Sequence, residues 1–134
     1  MGHSPLGPSP RRSILLPNSS PGHTLGAPMA STALVVLTSF GSSKDARKFV
    51  RDLVEARLVA CGTLVPATSI YRWGGQITAE AEVLVVLKTD AARWDALEAA
   101  VRERHPYQLP ELLALPVERG LGAYLSWLGS EVTE

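Results

Sequence analysis

Apolar residues run unbroken through ALVVL at 33–37, recur every three or four positions from Ala46 to Leu58, then alternate with polar ones from Ile77 to Val83. The first pattern, in the β-branched stretch TALVVLTSF, predicts a strand over 32–40 that is central in its sheet or covered on both faces. Gly41-Ser42-Ser43 turns the chain, and Ser42 with Asp45 three residues on resembles a capping box. Behind it, Ala46, Phe49, Val50, Leu53, Val54 and Leu58 lay one apolar stripe along a helix over about 44–58.

CGTLVPATSIYRW, residues 61–73, is rich in strand formers but contains Pro66, which cannot donate a ladder hydrogen bond, so a bulge or a sheet edge is predicted there. Gly74-Gly75 supplies the positive backbone angles of a tight hairpin, and QITAEAEVLVVLKT returns over 76–89. Asp90 is placed to cap a second helix bearing Trp94, Leu97, Ala100 and Val101 on one face and broken at Pro106. ELLALPV at 111–117 reads as a fourth strand, and residues 122–128 as a small terminal helix. The order is that of an α+β, ferredoxin-like βαββαβ fold with a long hairpin and a short C-terminal helix.

Strands of about twelve residues extend roughly 40 Å at about 3.3 Å per residue, farther than such helices can cover. Part of the hairpin must overhang. Its unpaired edges invite another chain, so a closed oligomer is expected, with Tyr71 and Trp73 near the turn as subunit contacts. The alternative is an ordinary cross-strand aromatic cluster within one chain.

Composition narrows the function. Thirteen Lys and Arg balance thirteen Asp and Glu in 134 residues, leaving no basic footprint for nucleic acid or a membrane surface. No apolar run nears the roughly 20 residues that span a bilayer. The single cysteine, Cys61, can form neither an intrachain disulfide nor a multi-thiolate zinc site. Residues 1–28 hold six of the ten prolines, four glycines and five serines, a composition expected to stay disordered ahead of a folded domain at 29–134. That segment carries Arg11 and Arg12 without Asp or Glu, so organellar targeting is an alternative to the cytoplasmic location otherwise expected. A chain beginning at Met29 is expected to melt no lower than the whole.

The stretches LVACGTLVPATSIYRWGGQI, VLVVLKT, RHPYQLPELLALPV and YLSWL resemble the CutA divalent-cation tolerance family across nearly all of residues 33–128. The resemblance implies a homotrimer like the signalling protein PII, in which long hairpins augment neighbouring sheets, and a role in tolerance of copper and other divalent cations. It also marks departures. Gly62-Thr63 stands where many members have Val-Asn, Gly74 where they have Glu, and Gln108 where they have Glu. Copper positions assigned in some bacterial members fall here on Thr38, Cys61, Arg104 and His105, of which Cys61 and His105 keep ligand chemistry.

His105 therefore has two readings. Its neutral imidazole suits Cu(II) or another divalent ion, with Tyr107, Glu111 or a neighbour completing the set; or it only ends a helix before Pro106, where the helix dipole favours the protonated, non-ligating form. Cys61 is either a thiolate ligand or apolar filler. No cofactor is expected to be needed for folding. Lys88, Arg72 and Arg104 could instead present an anion to an intersubunit cleft shared with Tyr107 and Glu111, as in a PII-like sensor. The central strands lack the stacking aromatics of RNA-binding domains, the Gly41 loop lacks a phosphate-binding arginine, and no nucleophile–base pairing is evident, so no enzymatic activity is expected.

Overall fold

The computed structural model describes residues 31–133; the tail expected over 1–28 and the start at Met29 lie outside them. The chain folds as β1 (Ala33–Phe40), α1 (Ser43–Glu55), β2 (Cys61–Trp73), β3 (Gln76–Asp90), a 3₁₀ turn (Ala91–Arg93), α2 (Trp94–Arg104), β4 (Leu113–Pro116) and α3 (Gly122–Glu131). The four strands form one antiparallel sheet in the order β2-β3-β1-β4, the expected split βαβ.

The apolar periods decide which face meets the helices. Val36 and Phe40 of β1 and Val85 and Leu87 of β3 pack against Phe49, Val50 and Leu53 of α1 and Leu97 and Val101 of α2. Ser42 caps α1 as its spacing predicts, its side chain accepting from the Asp45 N–H at 3.2 Å. The helix is shorter than its apolar stripe. Arg57 takes a φ of 60°, the Arg57 N–H bonds the Val54 carbonyl and the Leu58 N–H bonds the Leu53 carbonyl, a Schellman stop. Leu58 thus packs from beyond the helix, and Val54 is 40% exposed rather than buried.

Pro66 causes no bulge. The β2–β3 register is unbroken from Cys61↔Lys88 to Trp73↔Gln76, and Pro66 is accommodated because β2 is an edge strand. Gly62 has a steric reason: a Cβ there would lie 2.6 Å from Val50 Cγ1 and 2.9 Å from Leu87 Cδ2. Gly74 and Gly75 have φ of 61° and 83°, the pair of positive angles a two-residue turn of this hand requires. β1 covers β3 only from Val83 to Asp90, so residues 67–73 and 76–82 pair with each other alone. That overhang extends about 23 Å.

The sheet's other face is left largely to solvent. Leu113 and Leu115 of β4 stand opposite Leu37 and Val35 and are 56% and 50% exposed. β4 is shorter than the predicted 111–117, because only Leu113–Pro116 finds ladder partners on β1. α3 runs on past Leu128 to Glu131 and closes a small cluster of Ala33, Ala60, Leu128 and Val132.

Candidate functional site

The root of the overhang, where β1 stops at Phe40 and the hairpin continues, carries the richest chemistry. His105 is the first residue past α2, and its N–H still bonds the Val101 carbonyl. Its Nε2 lies 2.8 Å from the Ser39 carbonyl oxygen, which can only accept, so Nε2 carries the proton. Nδ1 accepts from the Tyr107 N–H at 3.1 Å. The ring stacks on Phe40 at 4.1 Å between centroids and meets Tyr107 at 4.9 Å. Burial pushes its pKa below the ordinary histidine value, outweighing the Ser39 carbonyl and the Glu82 charge, which both raise it. The fold thus favours the neutral imidazole, against the helix dipole that favours the protonated form.

Turning at His105 sends the chain past Gly41 toward the hairpin. A Cβ on Gly41 would meet the Tyr107 hydroxyl at 3.2 Å. That hydroxyl donates to Glu82 Oε2 at 2.6 Å, and one step along the same face Tyr71 donates to Glu80 Oε1 at 2.6 Å. Burial first, and the Glu82 carboxylate second, raise the Tyr107 pKa far above its ordinary value; the bond to Glu80 raises that of Tyr71. Together these groups line a cleft of about 750 Å³ that also takes in Trp73, Gln108 and Glu111.

Four of the residues singled out in the sequence, Tyr71, Trp73, Tyr107 and Glu111, meet in this cleft. The two metal candidates do not meet. Cys61 stands opposite Lys88 on β3, with its Sγ 3.9 Å from the Tyr124 hydroxyl, whereas His105 reaches Ser39, whose partner is Leu84. Lys88 and Arg104 also lie apart from the cleft: Lys88 pairs with Val35, and Arg104 lines a depression of about 360 Å³ beside Asp45 and Asp52. Arg72 alternates onto the opposite face from Tyr71. No three His, Cys, Asp or Glu side chains among the described residues stand close enough to hold a metal ion. With both His105 nitrogens engaged, the donors of one protomer do not make a closed transition-metal site. Thr38, which the resemblance set among the copper positions, is fully buried with its hydroxyl unpaired.

Glu80 and Glu82 escaped the sequence reading, which took them only as the polar phase of an alternating strand. The signal was there: in a two-residue hairpin, Tyr71, Trp73, Glu80 and Glu82 all fall on one face. Gln108 lines this same cleft and adds no charge to it.

A four-stranded split βαβ sheet with an overlong hairpin defines the class. Residues 34–131 match the family model described as CutA1 divalent ion tolerance protein. The divalent-cation tolerance protein CutA of Escherichia coli O45:K1 is 41% identical over 103 residues, covering 76% of this chain and 92% of that one. Protein CutA of Homo sapiens is 40% identical over 134 residues, 99% of this chain and 69% of its own length. The structure of a divalent cation tolerance protein from Thermus thermophilus superposes with a TM-score of 0.73 at 40% identity, over 75% of this chain and 99% of that one. The chain belongs to the CutA1 divalent ion tolerance family.

Proposed function

We propose that this chain works as a homotrimeric, non-catalytic divalent-cation tolerance protein that binds copper or other divalent ions at sites completed between subunits in the cytoplasm. The reading rests on membership of the family. Its geometric support is the hairpin overhang beside the uncovered leucines of β4, a ribbon and an edge that a second and third copy would cover. Because one protomer offers no closed donor set among the described residues, a neighbour's residues are needed to complete coordination. Among the described residues no helix is long and apolar enough to cross a membrane.

Calorimetric titration of the whole protein with Cu(II) and Zn(II) tests the reading. Submicromolar binding, weakened at least tenfold by His105→Ala or Cys61→Ser in protein that still melts cooperatively, is the expected result. Weak binding indifferent to both variants would leave metal affinity incidental. The cleft favours a second reading in that event, a PII-like trimeric sensor or scaffold, since its volume suits a small organic ligand.

A further inference from the structure

The helix side of the sheet carries the depression of about 360 Å³ between α1 and the end of α2. Phe40, Phe49 and Pro106 form its floor, and Asp45, Lys48, Asp52 and Arg104 stand around it. No residue of β2, β3 or β4 lines it, so the copies that cover the overhang and β4 on the homotrimer reading leave it open. Its volume falls at the lower end of the range for small-molecule sites. The floor is fixed from behind: Phe40 and Phe49 are buried against each other, and the His105 ring stacks on Phe40.

The charges around this floor are only half satisfied. Lys48 donates to Asp52 at 2.9 Å across one helical turn, a pair that adds no net charge. Asp45 and Arg104 border the same space with opposite signs, yet neither side chain has a partner among the described residues, the other included. Both stand on anchored backbone. The Asp45 N–H bonds the Ser42 cap at 3.2 Å, and Arg104 ends α2 just before His105, whose N–H bonds the Val101 carbonyl at 3.0 Å. Two unlike charges held apart over an apolar floor match a molecule that carries both opposite charges on an apolar body, whereas a lone anion or cation satisfies only one of them. A carboxylate can meet a guanidinium through two parallel hydrogen bonds, and an ammonium donates to a carboxylate. We propose that the depression binds a free α-amino acid with an apolar side chain, its carboxylate on Arg104, its ammonium on Asp45 and its side chain over Phe40, Phe49 and Pro106. The inference depends on neither metal uptake nor the homotrimer, and every group it uses comes from one chain.

The test is calorimetric titration of the whole protein with L-leucine, with L-leucinamide and 4-methylpentanoate, each lacking one of the two charges, as comparisons. One leucine per chain is expected, weakened by added salt, with each comparison compound bound about fivefold more weakly. Arg104→Gln should lower leucine affinity about fivefold and leave that of leucinamide unchanged; Asp45→Asn should lower it as much and leave that of 4-methylpentanoate unchanged. Arg102→Gln, whose side chain is engaged with Glu98 outside the depression, should change none of the three. Thermal melts establish that the variants fold; Arg104→Gln, at an exposed position, carries the test alone if Asp45→Asn does not fold. Absence of leucine binding overturns the proposal. So does 4-methylpentanoate or leucinamide bound as tightly as leucine, or a loss in Arg102→Gln equal to that in Arg104→Gln.

Discussion

At the scale of single residues, His105 ties three parts of the chain together. One ring nitrogen holds the end of β1, the other holds the backbone that aims Tyr107, and the ring face lies on Phe40. The second of these contacts requires the neutral imidazole, since a protonated Nδ1 cannot accept from the Tyr107 N–H, whereas Nε2 donates to Ser39 in either form. Since the folded-state pKa lies below the ordinary value of about 6.5, the unfolded chain takes up a proton first as pH falls, and stability is lost from about pH 6.5 downward. A urea midpoint that declines between about pH 7.5 and 5.5 is expected, with that decline flattened in His105→Gln. The other two histidines, His3 and His23, precede the described residues, so an equal decline in the variant would remove His105 as the cause.

At the scale of elements, the stop of α1 departs from the rule that glycine occupies the left-handed position. Arg57 fills it, at a cost of about 1 kcal/mol for a residue with a Cβ. Its side chain returns little: Nη1 donates to the Glu131 carbonyl at 3.1 Å, but that bond is exposed to water, and the pair with the Glu131 carboxylate is 4.0 Å long and half exposed. Arg57→Gly should therefore raise the unfolding free energy by about 0.5–1 kcal/mol, and Arg57→Ala should not. Chemical denaturation of the two side by side checks it. A gain in the alanine variant would locate the strain in the side chain instead. The same turn explains why an apolar stripe reaching Leu58 overstated the helix: in a Schellman stop the residue beyond the end packs back on the last turn, and the spacing looks unbroken.

At the scale of the whole molecule, the overhang is paired only with itself and β4 is exposed along its length among the described residues. On the homotrimer reading both are covered together. Light scattering is expected to give three times the chain mass at micromolar concentration, and Leu115→Asp, which puts a charge on the uncovered face, is expected to shift mass toward the monomer. A monomeric wild-type mass would end that reading, and a variant that keeps the trimer would place the contact away from β4.

Periodicity by itself determined the element order, the hairpin with its glycine turn and the core face of each helix, because each depends on neighbours a few residues apart. The Ser42 cap and the helix-stopping place of His105 were legible for the same reason. What only the tertiary structure decided was which distant side chains meet. Cys61 and His105 share ligand chemistry yet lie at different stations along the sheet, while Glu80 and Glu82, ordinary strand residues in sequence, face Tyr71 across the ladder and Tyr107 from beyond α2. The two-residue turn sets the register that puts both carboxylates on the face of Tyr71, and spacing already implies it; the path of the 105–111 segment, which brings Tyr107 to them, is set by long-range packing that leaves no local spacing to read.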